Sequence, residues 1–360
     1  MAQYAAISIA QMGALPPKSV LPFGARPTQD WLAISGKGLV DIWANPFQLL
    51  DSGTFVAELR LPLPRGKVLI NLQTNQGVQR SFAVFVGPDG GLSLLHREGA
   101  KLLRASLPAL PASSAEAGRL TYFFDSATGN WTLRLSSLTG GAPLAAAQGA
   151  GALAFANRDA EDICKKGNFD PAVLWFGFSR CADVPRAAPW IGLRTVVDTA
   201  LGPVAAGNLK AGDVVMTADR GPQPLRAVHF MELPARGSFA PIVLRAPFYD
   251  RRGDVLVSAD QRLVVSGSAV EYLFGTEAVL VAAGDVVDGR TALAEDRRAV
   301  VSGVSLDLGG AALIGGAAAG ELALAAGDFA QTCDAPLMCL NCYETVALMR
   351  MLGRIVTKVA

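Results

Sequence analysis

The chain has 360 residues, with 32 Lys and Arg against 31 Asp and Glu, which gives a net charge of +1. This balance excludes the strongly basic surface that a nucleic-acid-binding protein presents. The length is sufficient for two ordinary domains, each with its own hydrophobic core. The most apolar stretch, residues 304–326, is rich in alanine and glycine and contains Asp307 and Glu321. It therefore predicts strands and turns rather than a membrane span.

The N-terminal residues lack a basic segment followed by an apolar run and a cleavage site. We therefore expect no signal peptide, and a protein that is either cytoplasmic or exported without an N-terminal signal. The five cysteines are unevenly spaced, which argues against a disulfide framework. Cys339 and Cys342 form a Cys-x-x-Cys pair to which Cys333 could add a third thiolate, giving a weak candidate cysteine site. Zinc usually takes four ligands, so small packed cysteines near a helix are the favoured interpretation and no cofactor is expected.

Strand-sized segments separated by turn residues run from Trp31 to about residue 185. In one of them Phe55, Ala57 and Leu59 share one face, while Glu58 lies on the other. Such alternation, with a turn every ten or so residues, predicts an antiparallel β-sandwich. Four tryptophans at strand positions are expected to belong to the core, namely Trp31, Trp43, Trp131 and Trp175.

Two hairpins are predicted in this region. Gly87–Gly91 joins residues 79–86 to 92–97, and residues 125–130 join 120–124 to 131–135. The second hairpin, TYFFD followed by GNWTLRL, resembles the middle hairpin of laminin-G-like, concanavalin-type jelly rolls. The resemblance implies a jelly roll over residues 1–185 with a glycan or protein partner. Calcium is the other ligand that such domains bind, and its candidate carboxylates are Asp89, Asp125, Asp159, Glu161, Asp162 and Asp170. We expect the acidic run at 159–162 to be a solvated loop or a short helix start instead.

A Pro- and Ala-rich linker ends near Pro189, where a second pattern begins. A strand at 195–199 is followed by a Gly-Pro turn, the corner Leu209-Lys-Ala-Gly-Asp213 and another strand at 214–217. A later segment, DVLVSADQRLVV at 254–265, places two β runs around a polar corner. This order resembles a Hedgehog/intein (Hint) domain of the alphaproteobacterial type. The resemblance implies a β domain over residues 189–352, of the kind that cleaves or splices its own chain.

The same resemblance assigns positions to the site. Trp190 stands where the family has its nucleophilic Cys, Thr195 matches a motif Thr, Ser258 matches the hydroxyl of Thr/Ser-x-x-His, and Gln261 replaces the His. The nucleophile attacks its own preceding carbonyl, and the His protonates the departing amide nitrogen. Indole is not a nucleophile, and a carboxamide cannot shuttle a proton. The sequence therefore predicts a degenerate Hint domain with no catalytic residue in these positions.

Two alternatives remain open. The chain could process itself with unusual residues, with Cys181 as nucleophile or His229 as base beside Ser258 and Thr195. It could instead be a subunit of a surface or particle assembly, and the oligomeric state is left open. The predicted fold is all-β, with a jelly roll followed by a Hint-like domain. Residues 231–240 are expected to be a loop, and residues 339–352 a short C-terminal helix.

Overall fold

A computed structural model describes residues 30–41, 44–74, 79–110, 116–138, 142–182, 189–248, 253–316, 320–326 and 337–354. The chain is all-β with short helices, as predicted. The strands of the N-terminal half are β1 Trp31–Ile34, β2 Gly38–Leu39, β3 Leu49–Leu50, β4 Ser52–Arg60, β5 Lys67–Thr74, β6 Arg80–Val86, β7 Leu92–Glu98, β8 Lys101–Leu107, β9 Ala117–Asp125, β10 Asn130–Ser137, β11 Ala145–Ala150, β12 Phe155–Ala156, β13 Asn168–Phe169 and β14 Val173–Ser179. Helix α1, Asn157–Lys166, lies between β12 and β13.

The strands of the C-terminal half are β15 Ile191–Gly192, β16 Val196–Thr199, β17 Gly202–Ala205, β18 Val214–Thr217, β19 Gly221–Pro224, β20 Ala227–Pro234, β21 Ile242–Leu244, β22 Val255–Val257, β23 Arg262–Ser266, β24 Ala278–Ala282, β25 Ala292–Ala294, β26 Val300–Asp307, β27 Ala312–Gly316, β28 Gly320–Ala326 and β29 Met338–Cys339. Helix α2 spans Ser268–Phe274, and helix α3 spans Cys342–Met351. Short 3-10 turns occupy Ala206–Asn208, Gly237–Phe239 and Ala283–Val286.

Two sheets pack face to face in the N-terminal half. One has seven strands in the order β11-β10-β9-β4-β14-β1-β2, and the other has five in the order β13-β5-β6-β7-β8. Their core is aromatic, and Phe55 of β4 meets Phe82 of β6 with ring centroids 5.0 Å apart. The alternation in β6 explains this packing, because Phe82, Val84 and Val86 point inward on every second position. The predicted sandwich is confirmed.

Both predicted hairpins are present. Asp125 pairs with Asn130 across the β9–β10 turn, and the Asp125 carboxylate accepts hydrogen bonds from the backbone of Ala127 and Thr128. The turn between β6 and β7 contains Gly90 at φ +89°, a conformation that suits glycine.

Two sheets also form the C-terminal half. The six-stranded sheet has the order β20-β26-β15-β22-β21-β25, so the very short strand β15 lies in its middle. The second sheet contains the corner at 209–213. There Leu209 is buried, Gly212 has φ +93°, and the Asp213 carboxylate accepts the Lys210 N–H at 2.8 Å. The corner residues identified in the sequence therefore each have a structural part in the turn.

The expectation of a loop at 231–240 is wrong in its first part. β20 continues to Pro234 and pairs with β26 along its whole length. The strand was missed because its partner lies about 70 residues later, and local composition does not reveal such pairing. The C-terminal helix is confirmed as α3, and Asn341 and Glu344 form a capping box at its start. Of the two structures expected for the acidic run at 159–162, the helix start is the one present, since the run lies in the first part of α1.

The two halves share no sheet among the described strands, but they pack directly against each other. The outer face of the seven-stranded sheet contacts the C-terminal half through a buried apolar group, here called the junction cluster. Its members are Trp31, Ile34, Val56 and Trp175 from the N-terminal half, and Trp190, Leu233, Ala235, Phe239 and Val301 from the C-terminal half. Trp31 and Trp175 were expected in a core, and they are buried between the halves rather than between the two sheets. Trp131 belongs to the sandwich core, and Trp43 lies outside the described residues.

The described helices are all too short or too polar to cross a membrane.

Candidate functional site

Trp190 lies immediately before β15, the central strand of the six-stranded sheet. Its backbone N–H donates a hydrogen bond of 3.1 Å to the Ser258 hydroxyl. The Ser258 N–H donates in return to the Trp190 carbonyl at 3.0 Å. These two bonds continue the β15–β22 pairing, in which Ile191 lies opposite Val257. The structure thus brings together residues 68 positions apart in the chain, and it does so at the peptide bond that follows Pro189.

Gln261 closes the turn that begins at Ser258. Its N–H donates to the Ser258 carbonyl at 3.1 Å, and its side-chain amide donates to the Arg262 carbonyl. Ser258 and Gln261 are both buried. This fixed turn explains why a polar corner between two β runs was visible in the sequence. It holds the Ser258 hydroxyl against the backbone N–H of Trp190.

Thr195 is also buried, on the turn that leads from β15 to β16. Its N–H donates to the Gly192 carbonyl at 2.9 Å, and its own carbonyl accepts the Ala206 N–H at 2.7 Å. Thr195 therefore anchors the chain just downstream of Trp190.

The indole of Trp190 is only 2% exposed and belongs to the junction cluster. It packs flat against Gly303 of β26, where any side chain would collide with the ring, since an added Cβ would lie 2.4 Å from Cε3. The site therefore contains hydrogen-bond donors and acceptors that are buried away from solvent. It contains no thiol, hydroxyl or amine at residue 190 that could attack the preceding carbonyl.

Cys181 and His229, the alternative nucleophile and base, lie elsewhere. Cys181 follows β14 in the N-terminal half, where its carbonyl accepts the Thr54 hydroxyl at 2.8 Å. Burial, followed by the nearby Asp30 carboxylate, raises the pKa of the Cys181 thiol, so the nucleophilic thiolate is disfavoured. His229 is exposed on β20 opposite Ser305. The hydrogen bonds to the Trp190 backbone come from Ser258 instead.

The cysteine pair at the C-terminus is split between a strand and a helix. Cys339 ends β29 and is exposed, and Cys342 is the first residue of α3. Cys339 is a free thiol, and Cys333 lies outside the described residues. Within the described ranges no group of three or more His, Cys, Asp or Glu side chains is arranged to hold a metal ion.

Several of the carboxylates considered for calcium have basic partners. Asp159 pairs with Arg80 at 3.4 Å, Asp162 pairs with Lys166 at 2.8 Å, and Glu161 pairs with Lys165. The last two pairs are one helical turn apart on α1, which is the spacing that stabilises a surface helix.

The sequence analysis missed a buried histidine in the sandwich. His96 lines a narrow pocket beside α1, together with Arg80 and Asp159, that has room for about one water molecule. Its ring stacks on Phe155 at 4.0 Å, and its Nδ1 has no hydrogen-bond partner. Burial, assisted by the Arg80 charge, lowers the pKa of His96 to about 4. The inward register of Leu92, Leu94 and His96 on β7 was the signal available in the sequence.

A family model described as "Hint domain" (Hint_2) matches residues 193–308. Residues 193–308 are a Hint domain. The match includes Thr195, Ser258 and Gln261 and begins three positions after Trp190. No curated protein matches the chain.

Several solved structures resemble parts of this chain. The crystal structure of the MchDnaB-1 intein is 15% identical, and the match covers 38% of this chain and 99% of the intein with a TM-score of 0.27. The CBM40 of the Ruminococcus gnavus IT-sialidase bound to alpha2,3 sialyllactose is 13% identical, and the match covers 37% of this chain and 78% of that chain with a TM-score of 0.27. A leech intramolecular trans-sialidase is 10% identical, covering 58% and 41% of the two chains with a TM-score of 0.25. Similarity of this size fixes neither a ligand nor an activity for this protein.

Proposed function

We propose that this chain is a non-catalytic two-domain protein, in which a laminin-G-like jelly roll of residues 1–185 is fused to a degenerate Hint domain of residues 189–352. The Hint domain is of the alphaproteobacterial type and acts as a structural module. The observation that carries the proposal is the burial of Trp190, whose indole packs between the halves while its N–H is bonded to Ser258. A residue that docks one half on the other occupies the position where the resemblance requires a nucleophile.

The chemistry of the neighbouring residues supports the same conclusion. Cleavage before residue 190 needs an attacking atom on that residue and an acid that protonates the departing nitrogen. Ser258 accepts the N–H of Trp190, and Gln261 holds its amide on a carbonyl. General acid–base catalysis alone contributes about 10²–10⁴-fold to a rate, and the nucleophile is absent as well.

The first experiment is the intact mass of the purified full-length chain during incubation with a small thiol at several pH values. We expect a single species of 37.5 kDa throughout. Fragments that divide the chain between residues 180 and 195 would overturn the proposal, and the mapped cut would identify the nucleophile.

A second experiment restores the missing groups with Trp190→Cys and Gln261→His together. The introduced thiol can attack the Pro189 carbonyl, forming a thioester as the C–N bond breaks, while the introduced imidazole protonates the departing amide nitrogen. We expect thiol-dependent cleavage after residue 189 in this variant. The control is Trp190→Ala with Gln261→His, which creates the same space without a nucleophile and should remain at full length.

We further propose that the jelly roll binds an acidic glycan on the outer face of its five-stranded sheet. The other outer face is covered by the junction cluster across β1, β4 and β14. The open face carries two arginines, apolar side chains that are not fully buried, and no carboxylate in β5–β8. Its residues are Val68, Phe85, Leu95, Arg97, Leu102 and Arg104.

Register brings the two arginines together. Arg97 lies opposite Leu102, and Arg104 lies opposite Leu95, so the arginines are diagonal neighbours on adjacent strands. Two neighbouring guanidinium groups suit a carboxylate-bearing sugar, since arginine binds carboxylates through paired hydrogen bonds. The test is a glycan array of matched neutral and acidic oligosaccharides. We expect binding to acidic glycans that Arg97→Ala with Arg104→Ala abolishes and Arg134→Ala on β10 preserves, and uniform failure to bind acidic glycans would refute the proposal.

A further inference from the structure

We infer that the two halves of this chain recognise each other through a specific interface, so that a chain cut between residues 182 and 189 remains a single non-covalent complex. The interface joins the outer face of the seven-stranded sheet to the C-terminal half. The contacting elements there are the start of β15, β20, and the 3-10 turn Gly237–Phe239. This inference does not require the Hint domain to be inert, because it concerns what happens after any cut at the junction.

The apolar part of the interface consists of interlocking aromatic rings. Trp31 and Trp175 of the sandwich lie 5.9 Å apart between ring centroids. Phe239 of the C-terminal half meets Trp175 edge-on, also at 5.9 Å and at 74° between the ring planes. All three are at most 3% exposed. Large aromatic side chains that are buried from both sides are the usual anchors of stable protein–protein contacts.

The polar part is a buried ion pair of the N-terminal half that receives further hydrogen bonds from the C-terminal half. Glu58 of β4 is fully buried and accepts a hydrogen bond of 3.1 Å from Arg119 of β9. Ser238 of the C-terminal half donates its N–H to the Glu58 carboxylate at 2.8 Å and accepts a hydrogen bond from Arg119 at 2.6 Å. The Arg119 guanidinium also lies 4.1 Å from the centroid of the Phe239 ring. The two charged groups are therefore hydrogen-bonded both within their own half and to Ser238 of the other half. Such contacts specify how the two halves are oriented as well as how tightly they bind.

Gly237 makes the fit dependent on one residue. It has φ +52°, and an added Cβ would lie 2.1 Å from a Glu58 carboxylate oxygen and 2.2 Å from Trp175 Nε1. Any side chain at residue 237 would therefore push the two halves apart. Gly289 of the same half offers a matched control, since it has φ +73° and nothing within 4 Å of an added Cβ. A Gly→Ala change there carries the same kind of backbone penalty without a collision.

Backbone contacts extend the interface past this centre. The Trp31 indole N–H donates to the Glu232 carbonyl at 3.2 Å, and the Asp30 N–H donates to the Glu232 carboxylate at 3.3 Å. These bonds connect the first described strand of the sandwich to β20.

The experiment uses the full chain with the recognition sequence of a site-specific protease inserted between residues 185 and 186. Fragment masses under denaturing conditions establish the cut, and native mass spectrometry with size-exclusion chromatography then reports the assembly. We expect the cut protein to keep the native mass and elution volume of the uncut chain. Separation into two independent fragments would overturn the inference.

Three variants localise the contact. Cut Gly237→Ala should dissociate at protein concentrations at least ten-fold above those at which cut Gly289→Ala remains assembled. Cut Phe239→Ala should also dissociate more readily than the unmutated cut chain. This variant replaces Gly237→Ala as the test of the interface if Gly237→Ala does not fold before cutting. Equal dissociation of all variants would show that the halves adhere elsewhere. Self-cleavage of the uncut chain would refute the proposed function. It would not affect the inference made here, because association of the two halves is measured after the cut.

Discussion

Two buried polar groups adjoin the junction cluster, and they differ in the chemistry that they contain. At Trp190, the backbone N–H donates to the neutral Ser258 hydroxyl, and the Gln261 carboxamide of the same turn donates to the Arg262 carbonyl. At Ser238, the Glu58 carboxylate and the Arg119 guanidinium of the N-terminal half are paired with each other, and Ser238 of the C-terminal half is hydrogen-bonded to both. The ion pair thus lies at the contact between the halves. The Ser258–Gln261 turn does contain a carboxylate, Asp260, whose pKa is raised by burial, but the side chain that bonds to the Trp190 N–H is the neutral Ser258 hydroxyl. The difference indicates that residue 190 serves packing, and that the orientation of the halves depends on the ion pair.

The largest expected effect comes from Trp190→Ala. Removing a buried indole leaves a cavity between the halves, and such changes cost about 3–5 kcal/mol of unfolding free energy. Denaturant unfolding of the variant and the wild type measures this difference. Tyr272→Ala is the control, because that ring is 80% exposed and its removal should change stability by no more than about 0.5 kcal/mol. An equal effect of both changes would contradict the packing role of Trp190.

Arg119→Met tests the other region. The change leaves the buried Glu58 carboxylate without its counter-ion, which costs about 3–5 kcal/mol for a fully buried pair. Because the Arg119 side chain keeps 14% of its exposure, we expect a value near the lower limit, about 3 kcal/mol. Lys165→Ala breaks the exposed pair with Glu161 and should cost about 0.5 kcal/mol or less, as the same unfolding measurement would show.

His96 reports on the sandwich alone, away from both regions. Its pKa is lowered from 6.5 to about 4 in the folded chain. The neutral form is therefore favoured by folding, and its stabilisation is complete above pH 6.5 and lost as the pH falls towards 4. The lowered pKa of His96 therefore makes the free energy of unfolding about 3 kcal/mol smaller below pH 4 than above pH 6.5.

His96→Phe keeps a ring against Phe155 and removes the titrating group. Unfolding free energies between pH 8 and pH 4 should fall less steeply for this variant than for the wild type. Parallel profiles over that range would show that the acid sensitivity has another origin.

Ser258→Ala should give the smallest effect. The variant leaves the buried Trp190 N–H without its acceptor, and an unpaired buried donor costs about 1–3 kcal/mol. Thermal unfolding should show a lower Tm than Ser126→Ala, which removes an exposed hydroxyl. A Ser258→Ala protein as stable as that control would mean that the hydrogen bond to Trp190 contributes little.

The sequence predicted local structure well where the pattern repeats or a turn requires particular residues. The alternation of β4 and β6, the hairpin at Asp125, the corner at Leu209–Asp213 and the helix before residue 352 all have short-range causes. The resemblance assigned Trp190 and Ser258 to motif positions of one family, but their hydrogen bonds to each other were seen only in the structure. The continuation of β20 to Pro234 was missed because its hydrogen bonds go to a strand far along the chain.

The sequence by itself determined that this is an all-β protein with Hint motifs, because strand periodicity and turn residues act over a few positions. The resemblance to the Hint family also predicts that Trp190 and Gln261 stand at the positions of a nucleophile and an acid. Only the tertiary structure decided that the face of β4 carrying Val56 and Glu58 is buried against a second half. A charged residue on an alternating strand predicts a solvent-facing side, and burial there depends on partners such as Ser238, 180 residues away. Local patterns contain no information about that distance, so the docking of the halves is a property of the folded chain.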